Sequence, residues 1–181
     1  MKTLQLVAIS LLLLPLLALA QQGAANPLSS DARAAWEGVR NNVTRAAEKM
    51  PEESYAFKPV PEVRSFGQLV GHVADAQYMI CAAAKGVARP DVQVEKTKTT
   101  KADLVAALKE SNAFCEGAFA DLTDVKAAET VKMFGRERTR LAVLNMNTSH
   151  DNEHYGNMVT YMRIKGLVPP SSEPRPAPKA K

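Results

Sequence analysis

Four long stretches of this 181-residue chain repeat apolar side chains every three to four positions, and that period admits one kind of element. Such spacing puts the apolar groups on one face of an α-helix. The first stripe is Leu28, Ala32, Ala35, Trp36, Val39, Val43, Ala46, Ala47 and Met50. It predicts a helix from about Ser30 to Met50, with Ser29, Ser30 and Asp31 as candidate N-caps and Pro51 as its stop. The second stripe is Phe66, Leu69, Val70, Val73, Ala76, Ile80, Ala83, Ala84 and Val87. Ser65 and Gln68 have the spacing of a capping box at its start, and Gly86 and Pro90 end it. A third helix is expected over about Lys101–Leu122, capped by Thr100, with Leu104, Leu108, Cys115, Phe119 and Leu122 inward and Ser111 and Asn112 interrupting that face. The fourth runs from about Thr139 to Lys165 and stops at Gly166, before Pro169 and Pro170.

Between the stripes lie connectors. Residues Pro51–Arg64 contain three prolines, which forbid a regular helix, but Tyr55, Phe57 and Val60 give them apolar anchors. Residues Asp91–Thr99 are polar and lysine-rich and read as an exposed loop joining two antiparallel neighbours, the second and third helices. Thr123–Glu137 form another long connector, with Val131, Met133 and Phe134 expected to pack on the bundle. No convincing strand and no internal repeat is present, so the chain reads as all-α, a four-helix bundle with long connectors after helices 1 and 3.

The ends differ from the middle. Residues 1–20 combine a positive start at Lys2, an apolar run from Leu4 to Leu17 and a small-x-small site at Ala18-Leu19-Ala20. These are the parts of a secretory signal peptide, the other reading being a membrane anchor, for which the run is short. Cleavage would leave an exported protein, periplasmic or secreted, with no stable membrane anchor. Residues 21–27 read as a flexible N-terminus, 28–170 as the folded domain, and the proline-rich 171–181 as a disordered tail. The net charge of +4 is concentrated at those ends, leaving about +1 for the domain, and no basic stripe with interleaved aromatics points to nucleic acid. Cys81 and Cys115 are the only cysteines, and the sequence leaves open a disulfide or two buried thiols.

The chain holds three histidines. His150 and His154 stand at i and i+4 on the fourth helix, about 6 Å apart along its axis and ~40° apart around it. His72 lies at the edge of the second stripe. The inward face of the fourth helix turns polar at Asn147, His150, Asp151 and His154, between apolar turns on either side. A buried polar group left unpaired costs roughly 1–3 kcal/mol, and a common reason for several together is that they bind something. Three imidazoles from two helices suit a divalent ion, zinc or nickel first, iron or copper next, and leave coordination positions open for water or a small-molecule ligand. Asp151 and Asp75 are candidate acceptors behind the ligands, although for Asp75 a solvated helix charge is the simpler reading. The string His150-Asp151-Asn152-Glu153-His154 departs from the zinc-protease motif, which carries Glu directly after the first His. No nucleophile elbow, Cys–His pair or phosphate loop appears.

Two segments resemble the DinB-like superfamily of small bacterial metal-binding bundles. The first is Tyr55-Ala56-Phe57-Lys58-Pro59-Val60-Pro61 leading through Ser65-Phe66-Gly67-Gln68-Leu69 to His72. The second is His150-Asp151-Asn152-Glu153-His154-Tyr155-Gly156-Asn157, followed by Tyr161-Met162-Arg163 and Gly166-Leu167-Val168-Pro169-Pro170. Together they are similar to that family's connector, H-x-x-x-H helix and Gly…Pro-Pro exit over about 28–170. Tyr155 and Asn157 depart from the family's usual Arg and Gln. The resemblance implies a three-histidine metal site at His72, His150 and His154, and some weight for a homodimer. It also implies a choice between a metal-binding protein without catalysis and a metal-dependent enzyme, thiol-dependent transferase or hydrolase-like, since some relatives use a low-molecular-weight thiol.

Overall fold

The computed structural model describes residues 26–174. The signal-peptide reading of residues 1–20, the flexible stretch up to residue 25 and the tail beyond residue 174 therefore lie outside the described residues. Four long helices form the body: α1 (Pro27–Lys49), α2 (Phe66–Lys85), α4 (Lys101–Ala120) and α6 (Arg140–Ile164). Two short helices, α3 (Val94–Thr97) and α5 (Asp124–Ala128), sit in the connectors. The all-α bundle is as expected, with one local addition. Strands β1 (Thr130–Met133) and β2 (Arg136–Thr139) make an antiparallel hairpin, Thr130 opposite Thr139 and Met133 opposite Arg136, within a segment read as plain connector. Alternation there is too short to register as a strand signal; Met133 of the hairpin is buried and Val131 half-buried, but Phe134, held in the turn, is exposed rather than packed on the bundle.

Local sequence sets the helix ends. Ser65 accepts from Gln68 N and Gln68 Oε1 accepts from Ser65 N, the reciprocal box that the spacing implied. Thr100 accepts from Asp103 N and Thr139 from Ala142 N. Gly86 ends α2 in the left-handed conformation at φ 69°. α1 starts three residues earlier than expected because Pro27 takes its first turn, and Ser29 is not a cap. Its amide and hydroxyl instead donate to Asp124 Oδ1 at 2.9 and 2.8 Å, with Leu28 N on Oδ2, tying α5 to the start of α1.

The helices close a ring in the order α1, α6, α2, α4, with α2 packed on both α6 and α4, and α1 on both of the others. α1 and α2 therefore face each other across a diagonal, as do α4 and α6, and the two long connectors are the spans those diagonals require. The expectation that the second and third helices run antiparallel is wrong. Leu104 at the start of α4 lies beside Gly67 and Gly71 near the start of α2, and Cys115 joins Cys81 toward both C-terminal ends. α2 and α4 are parallel, because the segment between them returns along α2 before α4 begins. At up to ~3.3 Å per residue, residues 86–100 reach roughly 50 Å, enough to retrace a 20-residue helix of about 30 Å. That segment is not an exposed loop throughout: Val94 of α3 is buried in the core.

Two apolar clusters fill the ring. One gathers Val43, Met50, Tyr55, Phe66, Val70, Leu108, Met158 and Met162. The other gathers Trp36, Ile80, Phe119, Met133 and Leu144 around the Cys81–Cys115 disulfide, Trp36 stacking on Phe119 at 4.7 Å between ring centroids. Between them runs a polar waist of Gln77, Ser111, Asn112, Asn147 and Asp151, all buried. The first residues of the expected tail are ordered against the bundle rather than free of it. Residues Pro170–Ser172 make a 3-10 turn, Tyr155 Oη donates to Ser171 Oγ at 2.8 Å, and Glu173 pairs with Arg45 and, at 2.6 Å, with Lys49.

Candidate metal centre

At one edge of the waist α2 and α6 bring the three histidines together. α6 presents His150 and His154 one turn apart, and α2, running antiparallel beside it, supplies His72. His150 Nε2 lies 3.2 Å from His72 Nε2 and 3.1 Å from His154 Nε2. A ligand atom from each ring falls within 4.8 Å of the other two, so the set could hold a metal ion. Imidazole nitrogens bound to one ion at about 2.0–2.1 Å stand roughly 3.0–3.4 Å apart, which is the spacing seen here. Hydrogen bonding alone accounts less well for the cluster, since one Nε2–H on His150 can serve only one neighbour at a time.

Protonation is consistent with a ligand set. Burial, aided by the neighbouring His150 and His72, pushes the His154 pKa down to about 4, and burial followed by the nearby Arg64 charge lowers that of His72. Both rings are thus neutral at pH 7, the form that offers a lone pair.

The outward nitrogens have their own neighbours. His72 Nδ1 is 3.3 Å from Glu95 Oε2. His154 Nδ1 is 3.4 Å from the Asn157 side-chain amide. An amide can present either end; with its oxygen there, Nδ1–H donates and Nε2 is left bare toward the other rings. His150 Nδ1 and Asp151 Oδ1 are both buried without a hydrogen-bond partner, and they are 3.9 Å from each other. A small rotation of the imidazole would satisfy both. Asp151 is fully buried, and burial raises its carboxyl pKa to about 6; its other oxygen accepts from Asn147 Nδ2 at 3.3 Å.

Of the acidic residues marked in the sequence, Asp151 stands beside a histidine and Asp75 does not. Asp75 is no solvated charge: its two oxygens accept from Val94 N at 2.7 Å and Glu95 N at 2.9 Å, holding α3 against α2. Sequence reasoning missed Glu95 and Arg64 altogether. Both sit in connectors, where no period marks a side chain as inward, and only the return path of residues 86–100 brings Glu95 to His72. Tyr155 belongs to the tail contact and not to the histidines.

Beside His154 a cleft of about 630 Å³ opens, lined by Lys58, Arg64, Gln68, Glu153 and Asn157 among others. Among the described residues no helix is long and apolar enough to cross a membrane.

An up–down–down–up bundle with three histidines converging from α2 and α6 is the class that this fold and site define. A family model of the DinB superfamily matches residues 35–158, and the chain belongs to that superfamily. An uncharacterised protein, YjoA, of Bacillus subtilis strain 168 is 28% identical over 131 residues, covering 70% of this chain and 84% of its own. The crystal structure of a DinB-like protein from Bacillus cereus ATCC 10987 superposes with a TM-score of 0.67 at 19% identity, over 77% of this chain and 93% of that one. A mycothiol-dependent maleylpyruvate isomerase shares the fold at a TM-score of 0.59 and 14% identity, over 72% of this chain and 60% of the isomerase.

Proposed function

We propose that the protein is an exported binding protein for a divalent metal, held by His72, His150 and His154. The convergence of three ring nitrogens at 3.1–3.2 Å steps carries this reading. The unpaired His150 Nδ1 and Asp151 Oδ1 support it, because a metal drawing His150 toward its neighbours and a carboxylate behind it form a familiar pairing. Three imidazoles suit zinc, nickel, copper and ferrous iron, and zinc and nickel are the first ions to try. The Cys81–Cys115 disulfide supports export, since such bonds persist in oxidising compartments. Elemental analysis of the purified mature protein, beside His72→Ala and His150→Ala, tests the reading. About one equivalent of metal, absent from both variants, is expected; equal metal content in all three would refute it.

A second reading rests on the cleft. The cleft reaches His154 and carries Lys58, Arg64 and Glu153, so a bound substrate would lie next to the metal. In a metal-dependent enzyme, thiol-dependent transferase or hydrolase-like, the ion supplies Lewis acidity at the open positions. Lys58 and Arg64 would orient an anionic group, and Glu153 would stand where a proton can be exchanged. The name of the isomerase neighbour makes thiol-linked substrates the first to assay. Turnover by metal-loaded protein that His150→Ala abolishes would establish this reading, and no turnover across thiol and ester panels would leave the binding protein.

A further inference from the structure

Glu95 bridges two groups of the site from a four-residue helix that the rest of the chain has gone to some length to hold in place. Its Oε2 is 3.3 Å from His72 Nδ1, and its Oε1 accepts from Arg64 Nε at 2.9 Å. Three contacts fix the backbone under it. Asp75, one turn beyond His72 on α2, accepts from the amides of Val94 and Glu95. Val94 is buried in the core beneath α3. Gly71, immediately before His72, lets the two backbones meet: a Cβ built there would lie 3.0 Å from Glu95 N and only 2.7 Å from Glu95 Cα, the latter closer than a Cβ can approach backbone. α2 therefore carries the histidine and, on either side of it in sequence, the two residues that dock its neighbour.

We propose that Glu95 is the positioning residue for His72. Its carboxylate accepts the Nδ1 hydrogen, which selects the tautomer whose bare Nε2 faces His150 and fixes the plane of the ring. A neutral imidazole has one N–H, so placing it on Nδ1 is what makes Nε2 a donor of electrons. Arg64 holds the far side of the carboxylate and keeps it from swinging away. Asp75 and Gly71 act one step further back, by setting where α3 lies. The consequence for metal rests on the three-histidine reading; the consequence for the tautomer does not.

Two measurements test the proposal on the full mature protein. The first is long-range ¹H–¹⁵N correlation of the metal-free protein, with the His72 signals assigned by their loss in His72→Ala. The second is zinc affinity by chelator competition. The wild type is expected to show His72 with hydrogen on Nδ1. Glu95→Ala should shift it toward the Nε2–H form and weaken zinc binding about 10- to 100-fold, the usual cost of losing a partner behind a ligand. Glu95→Gln keeps an acceptor oxygen and should restore the tautomer and most of the affinity. Gly71→Ala should reproduce the Glu95→Ala result with Glu95 intact, by pushing α3 off α2. Alanine is the better helix former, so α2 itself is not weakened. A wild-type His72 with hydrogen on Nε2 would overturn the proposal, as would unchanged tautomer and affinity in Glu95→Ala. Tautomer changes as expected, in a protein that binds no zinc, would uphold Glu95's role and discard the metal reading.

Discussion

Replacing both Cys81 and Cys115 with alanine removes the covalent tie between α2 and α4, and its size follows from the loop it closes. The two positions are 34 residues apart with Cα atoms 5.3 Å apart, inside the ordinary range for a bridge. Loop-closure entropy for about 34 residues amounts to ~3.8 kcal/mol at 25 °C. Both side chains are fully buried, so deleting two sulfur atoms adds roughly 1–3 kcal/mol of lost packing. The double variant should thus lose on the order of 5 kcal/mol, a large part of the 5–15 kcal/mol that holds a typical domain together. At about 2–4 °C per kcal/mol for a chain of this size, Tm should fall by some 10–20 °C. Guanidinium melts followed by circular dichroism, on oxidatively refolded wild type and on the variant, measure the difference. Thiol titration of the unfolded wild type checks that the bond is there. Metal content should be unchanged, because Cys81 stands nine residues beyond His72, ~13 Å along the helix. A loss under about 1 kcal/mol, or two free thiols in the refolded wild type, would refute the reasoning.

Three other outcomes are open to direct measurement. Zinc at a thousandfold excess over its Kd should stabilise the fold by about 4 kcal/mol, and chelation should reverse the rise in Tm; a Tm indifferent to both would make the histidines structural. Phe134 is exposed at the hairpin turn with φ 51°, next to Gly135 at φ 72°, where a bulky side chain is strained. Phe134→Asn should therefore raise stability by about 1 kcal/mol in a denaturant melt, and a loss would show that Phe134 has a packing role. Asp124 sits at the junction of α1 and α5, where some burial works against its charged form, but the hydrogen bonds from Ser29 and Leu28 prevail and hold its pKa below the usual carboxylate value. A lowered folded pKa gives stability that is present above the unfolded value near 4 and is lost as pH falls through the folded one. Wild type should thus be more stable than Asp124→Asn at pH 7, with the gap closing as the pH falls below the unfolded value in paired Tm–pH profiles; a constant gap would exclude the carboxylate as its source.

Much of this molecule was legible because its signals are local. The Ser65–Gln68 box, the Thr100 cap, Gly86 and the four stripes each depend on residues within a turn or two, and each is where the period and cap rules put it, although Leu28 and Val87 are exposed at the ends of their stripes. The histidine cluster was legible for a related reason: i, i+4 spacing joins His150 to His154 without any tertiary knowledge, and the polar break in the α6 stripe marks the depth at which His72 must meet them. What the sequence hid is set by the path of connectors. The sense of α4 depends on whether residues 86–100 turn tightly or run back along α2, and their composition favours neither. Glu95 and the true role of Asp75 follow from that path alone. Ser29 was misread because a serine near a helix start serves equally as a cap or as a donor to a distant carboxylate.

The polar waist divides the bundle into two apolar compartments, and only one of them is covalently closed. The disulfide lies wholly in the compartment of Trp36 and Phe119, whereas the compartment of Phe66 and Met162, which flanks the cleft, is bound by side-chain packing alone. Such halves need not open together, and amide exchange should find the unlinked half the more readily released. The histidines join α2 to α6 beside Val73 and Tyr155 of the unlinked compartment. An ion there would act as a rivet between α2 and α6, so that occupancy would slow the opening of the half that flanks the cleft while leaving the cross-linked half almost as it was.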